Sequence, residues 1–353
     1  MDIYDHPQQT EKPSDYAMVI DESMMIGSEK LLMTLGIPAQ HKGEPIKMED
    51  MSILDMSVSS SWNSQGVKEK LLASAEKIGS SPRYVVSDNA SIMKGGISQA
   101  LLPHHRDISH SLGVLLERCY KEKSDFQSYT KSMSEAQFKH SMKKEAYLLP
   151  PKQRTIARFI NLSNWVKWSQ KVLNAYHKLT LKERDLLAFV PANASLIDEL
   201  SEVMGCIDYI EKNCKRNGLS AETIKQCLKK IRNTLFMGNF RMRNLGEAIC
   251  RFLQEEGKLL ENEENAHNNS SDIIESTFGV YKRRKSPNKL YGVTSFILFM
   301  PVYAQCASKE YSKSHSPKLH LENVKLWQIQ QWTEDNLTTN LVTKRIKTLN
   351  PTG

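Results

Sequence analysis

The apolar positions of this chain recur at two different periods, and the change between them divides it. Residues 16–20 (YAMVI) form a β-prone run that ends at Asp21. A second apolar run covers 29–37, and 51–58 alternates apolar with polar residues. Alternation with period two marks a half-buried strand, and three such segments at close spacing predict an antiparallel meander. Over 66–78 the period lengthens. Val67, Leu71, Leu72, Ala75 and Ile78 fall on one helical face, with Lys68, Glu69, Lys70, Glu76 and Lys77 elsewhere, which predicts an amphipathic helix. Gly79 and Pro82 stop it. Residues 83–87 (RYVVS) predict a fourth strand ending at Asp88, and 89–97 a loop and short helix. Residues 106–110 (RDISH) predict a short fifth strand, and 112–120 open another helix.

From there to about residue 265 the apolar positions keep the helical period, for example over 157–179, 196–215, 221–235 and 245–260. Residues 261–271 are polar and Asn-rich and predict a linker or exposed loop. A helix is expected from 272 to 282, a break at 285–288 and an apolar helix over 291–304. The expected organisation is a disordered lead (1–15), the first part of an α/β core (16–120) and an all-helical insertion (121–265). Closing helices (266–307) and a polar basic tail (308–353) complete it.

Composition narrows the classes. The chain has 353 residues, 40% hydrophobic and 25% charged, close to ordinary globular values. The longest apolar run, 293–304, is interrupted by Thr294, Ser295, Pro301 and Tyr303, so no membrane partner is expected. The first residues lack the basic-then-apolar pattern of a secretory signal. Six cysteines at 119, 206, 214, 227, 250 and 306 form no CxxC pair or zinc-finger spacing, and read as thiols of a reducing compartment. A net charge of +8 suggests a polyanionic partner.

Three acids stand where chemistry can be built. Asp21 and Asp88 each follow an apolar strand run, and a carboxylate there is costly to bury alone. If those strands are neighbours, two like charges emerge together and favour a divalent cation between them. Hard oxygen ligands suit Mg²⁺ or Mn²⁺. Glu275, at the head of a late helix, would complete a site for two ions that drives an in-line phosphoryl displacement. Taken singly, each acid is a weak signal, since an Asp after a strand is usually a turn or cap residue.

The β-β-β-α-β order, with VIDES around Asp21, VVSDNAS around Asp88 and SDIIESTFGVYKRR around Glu275, resembles the core of DDE-type DNA transposases. The long helical block between the second and third acids is similar to members with an all-helical insertion, including hAT-type enzymes. The resemblance covers roughly residues 16–304, the middle of it in general character only. It implies an α/β, ribonuclease H-like mixed five-stranded sheet with flanking helices. It further implies that Asp21, Asp88 and Glu275 are a catalytic, metal-binding triad for two Mg²⁺ or Mn²⁺ ions, cutting and joining DNA. Arg106-Asp107-Ile-Ser-His110 fits a short motif of that family, which makes Asp107 and His110 auxiliary. His110 would then contact the scissile phosphate or brace the acids. A hydrogen-bonded structural histidine is the competing reading.

The partners implied are transposon-end and target DNA and further copies of the chain. The location implied is the bacterial cytoplasm beside the nucleoid, or the nucleus in a eukaryote. Lys282 lies seven residues from Glu275 and so shares its helix face; with Arg283 and Arg284 it is a candidate for DNA phosphates, against a solvated helix end. Lys143, Lys144, Lys152, Arg154 and Arg158 form a more diffuse basic set. Trp165, and after it Trp168, is a candidate to stack on a flipped base, against a place in the helical core.

About fifteen residues precede the first strand and no helix-turn-helix is visible, so the chain is expected to lack an N-terminal recognition domain. Two other readings stay open. One is a transposase-derived DNA-binding protein without catalysis. The other is an unrelated helical interaction protein with coincidental acids.

Overall fold

The structure is a computed structural model that describes residues 15–24, 29–151, 159, 162–260, 262, 265–284, 294–300, 325–337 and 341–349. The chain divides into two compact units. One comprises Met1–Asp107 and Asn265–Gly353, the other Ile108–Glu264. The expected boundary at 121 thus lies inside the second unit. The helix starting at Ile108 packs on later helices of that unit.

The first unit is built on a five-stranded sheet. Its strands are β1 (Tyr16–Met24), β2 (Lys30–Pro38), β3 (Ser52–Ser59), β4 (Val85–Ser87) and β5 (His104–Arg106). The order is β3-β2-β1-β4-β5. β1, β2 and β3 pair antiparallel as the expected meander, while β4 runs parallel to β1 and β5 parallel to β4. The sheet is therefore mixed.

Alternation along central β1 sends side chains into two cores. Tyr16, Met18 and Ile20 face α1 (Ser64–Ile78) and α2 (Ser91–Gln99), meeting Val67, Leu71, Met93 and Ile97. A Cβ on Gly96 would stand 2.6 Å from Val67 Cβ, so glycine lets α1 and α2 approach. Asn63 caps α1 by accepting from Gly66 N–H, and Gly79 at φ 81° ends it.

Ala17 and Val19 face the other way. They meet Ile273, Ile274, Phe278 and Tyr281 of the late helix Asp272–Arg284. Ile297, in the 3-10 turn Ser295–Phe299, and Met300 complete this core. The expected break at 285–288 and most of the helix over 291–304 lie outside the described residues.

Among its described residues, the regular elements of the second unit are helices. It contains α3 (Ile108–Tyr120), α4 (Ser124–His140), α5 (Leu162–Ala175), α6 (Leu181–Leu186) and α7 (Phe189–Ala192). Then follow α8 (Ala194–Asn217), α9 (Ala221–Thr234) and α10 (Phe240–Gly257). α5, α8, α9 and α10 answer the helical periods read from the sequence. Arg241 ties α10 to three other helices, α3, α4 and α8. It forks onto Glu199 and Asp125 at 2.7–3.0 Å and lies 4.6 Å over the Tyr120 ring.

The late helix of the first unit is α11, and the tail adds α12 (Leu326–Asn336) and α13 (Leu341–Leu349). Trp332 and Leu337 pack against the core beneath α11, so the polar tail carries an apolar stripe.

Candidate active site

Sheet register carries the site. β1 and β4 pair Met18 with Val85 and Val19 with Val86. Two residues further along the same register, Asp21 comes level with Asp88. β4 and β5 pair Ser87 with Arg106, and the next step brings Asp88 level with Asp107. The Asp107 N–H donates to Ser87 O at 2.8 Å, which continues the ladder. Three aspartates thus stand in one row across β1, β4 and β5. By alternation they share the face of Val19 and Val86, on which α11 packs.

Asp21 does not end its strand, as the sequence suggested. β1 runs on to Met24 because its antiparallel partner β2 supports it that far, with Asp21 opposite Met33. The parallel partner β4 stops at Ser87, so Asp21 stands where one neighbour has run out. Its carboxyl is pushed up to about 7, first by burial and then by the Asp88 charge. An N–H of Glu22 donating to Oδ1 at 2.7 Å offsets part of this, and Glu275 and Asp107 push the same way as Asp88. Four carboxylates therefore act on one another here.

Each remaining acid is held differently. Asp88 Oδ1 accepts from Ala90 N–H at 3.0 Å, in the turn that leads into α2. Asp107 is buried, and its Oδ2 accepts from both the N–H and the hydroxyl of Ser271, at 2.7 and 3.0 Å. Ser271 immediately precedes α11, so Asp107 anchors the helix that carries Glu275. Glu275 lies exposed in the first turn of α11, where the helix dipole favours a negative charge.

All four donors are hard carboxylate oxygens, and their mutual repulsion is what a divalent cation relieves. Among the described residues, no group of three or more His, Cys, Asp or Glu is drawn together as a metal-ligand cluster. Asp88 is half-buried and Glu275 exposed, so both carboxylates are open to solvent.

The segment 265–271, expected to be an exposed linker, is the feature the sequence reading missed. Asn265, His267, Asn268, Asn269 and Ser271 are all buried. The segment is strapped to the sheet by main-chain bonds. His267 bridges Gln40, and His41 N–H donates to Ala266 O at 2.7 Å. Asn268 N–H donates to Tyr84 Oη at 2.8 Å, and Asn268 Nδ2 to Pro38 O at 2.9 Å. His267 stacks on Tyr84 at 4.4 Å, and its Nδ1 lies 2.9 Å from His105 Nε2. The two histidines of this pair, in PHHRD and NAHNN, were the available signal.

Burial, and then the His105 charge, hold His267 down at about 4. A histidine whose folded value lies below its free value contributes stability at neutral pH that is lost as pH falls toward the folded value. Lowering pH from about 7 to about 4 is expected to remove about 2–3 kcal/mol of stability from the wild type relative to His267→Gln. Urea unfolding of both proteins across that range checks this. A constant difference between them would refute it.

The remaining candidates separate. Of residues 106–110, only Arg106 belongs to a strand. The fifth strand is His104–Arg106, set by its pairing to β4, and α3 begins at Ile108. His110 is therefore a half-buried residue of α3 in the second unit. Trp165 is 1% exposed in the core of α5, with no ring face open to a base. Trp168 is partly buried, its Nε1 donating to Leu148 O at 3.2 Å. Lys282 and Arg283 are exposed in the last turn of α11, with Lys282 Nζ 5.7 Å over the Phe278 ring. The Arg284 side chain and residues 152, 154 and 158 lie outside the described set. Among the described residues no helix is long and apolar enough to cross a membrane. Compared with models of known families and with curated proteins, the chain finds no match.

Proposed function

We propose that the first unit is the catalytic core of a DDE-type DNA transposase, acting by metal-dependent strand cleavage and strand transfer. The observation that carries this reading is the register that aligns Asp21 and Asp88 on the face covered by α11, the helix of Glu275. The strand order β3-β2-β1-β4-β5, with its last two strands parallel to the first, supports a ribonuclease H-like assignment.

Asp21, Asp88 and Glu275 would hold Mg²⁺ or Mn²⁺. Bound there, the ions would lower the pKa of an attacking water or hydroxyl and stabilise the leaving oxygen. The chain's own groups have separate tasks. Asp107 positions α11 through Ser271. Lys282, on the Glu275 face of α11, would hold a DNA phosphate, with Arg283 beside it.

The test is nicking of plasmid DNA in Mn²⁺ by the wild type and by Asp88→Ala. A loss of at least about a hundredfold in the variant is expected, because removing one ligand disables the site. Equal nicking by the two proteins would dismiss the reading. The alternative reading is a transposase-derived protein that binds DNA without cutting it. Wild type that shifts duplex mobility but never nicks would select it.

A further inference from the structure

We propose that the exposed face of the α8–α9 hairpin binds the phosphate backbone of a nucleic acid. Residues 209–234 hold seven Lys or Arg against two Glu, a net +5, where the whole chain carries +8. Lys212, Arg216, Lys225, Lys229 and Arg232 are exposed. None of these five makes an ion pair among the described residues. The local acids are already engaged. Glu211 accepts from Lys215 at 2.6 Å and from Ser109 at 2.7 Å. Glu222 accepts from Gln226 at 3.0 Å, and Asp208 from Ser163 at 3.1 Å.

The hairpin is a firm platform. Cys214, Leu219, Cys227 and Ile231 are buried along its inner seam. On the outer seam Asn213 Nδ2 donates to Gln226 Oε1 at 3.1 Å, and Lys230 Nζ lies 5.9 Å over the ring of Tyr209, which is 40% exposed. Cations on two adjacent helices therefore flank a strip of amides and one aromatic ring. On α9, Lys225, Lys229 and Arg232 follow each other at helical spacing over roughly 10 Å, about three base steps.

The chemistry of the face favours nucleic acid over lipid. A helix that docks on a membrane surface inserts an exposed apolar side. Here the apolar side of α9 is used internally, with Ile224 and Leu228 packed on the unit's core. What remains outside is cationic and hydrogen-bonding, the combination that reads phosphates. This inference does not depend on the acidic site.

The test is fluorescence anisotropy of a labelled DNA duplex in EDTA, so that binding is read without cleavage. The full chain is compared over a salt series with the fourfold variant Lys212→Gln, Arg216→Gln, Lys225→Gln, Lys229→Gln. The plot of log affinity against log salt is expected to flatten by about 3–4, at about 0.9 per lost phosphate contact, with binding weakened at least about tenfold at low salt. The charge-conserving variant Lys212→Arg, Lys225→Arg, Lys229→Arg is expected to bind like wild type, and circular dichroism melting shows that the neutral variant still folds. Unchanged slope and affinity in the fourfold variant would overturn the proposal. So would duplex binding that survives while binding to phosphatidylserine vesicles is lost, or displacement of the duplex by polyglutamate as readily as by competitor DNA.

Discussion

Asp21→Asn is expected to make the metal-free protein more stable at about pH 8, by about 2–4 kcal/mol, while abolishing strand cleavage. The two effects have one cause. The Asp21 carboxyl is pushed up to about 7, first by the partial loss of solvent at its half-buried position and then by the Asp88 charge, with Glu275 and Asp107 acting the same way. A carboxyl raised in the folded state contributes no penalty below its free value. Stability is lost as pH rises from about 4 to about 7, and above that the full cost of an unneutralised buried charge is present. Asparagine removes the charge and keeps an acceptor for the Glu22 N–H. Adding Mg²⁺ or Mn²⁺ should raise the melting temperature of the wild type and close the gap, with little response from the variant. Thermal unfolding at several pH values, with and without the ions, measures this. A variant no more stable than wild type at high pH would show that the acids do not repel. Equal responses to the ions would show that Asp21 holds none.

Trp165→Ala is expected to cost about 3–5 kcal/mol in the second unit. The ring is 1% exposed, on α5 with Leu162, Val166, Ser169 and Val172 buried on the same helix. That loss is a large part of what an ordinary domain has in total. Denaturant unfolding followed by circular dichroism checks it. A cost below about 1 kcal/mol together with weakened DNA binding would mean that the ring reaches a base after all.

What the chain discloses before folding depends on whether a segment's partners are near or remote. β1 to β3 pair with their neighbours, so their apolar runs were readable, as were the long amphipathic helices. The acids at 21 and 88 were legible because each follows such a run. β5 was misplaced because His104–Arg106 has no apolar pattern. It is a strand only because β4 offers it a parallel ladder, and His105 is buried only because Tyr84 and His267 close over it. Residues 265–271 misled for the same reason. Their polar groups suggest water, yet the bonds that satisfy many of them come from Pro38, Gln40, Tyr84 and Asp107, more than a hundred positions away. Trp165 reads from sequence more often as core than as a base-stacking ring, and the core is where it lies.

The chain leaves the sheet at Asp107 and returns to it along 265–271, and the bond from Ser271 to Asp107 staples exit to re-entry. The 157 residues of Ile108–Glu264 are thus a loop whose two ends are pinned by the unit they interrupt. Closure entropy grows only with the logarithm of loop length. Even trimming the insertion to roughly ten residues would change that term by about 2 kcal/mol. For the strand that leads into Asp107 and the helix that bears Glu275, the size of what lies between them is therefore thermodynamically a minor matter. An insertion at this junction is free to grow, shrink or be exchanged while the acids keep their places.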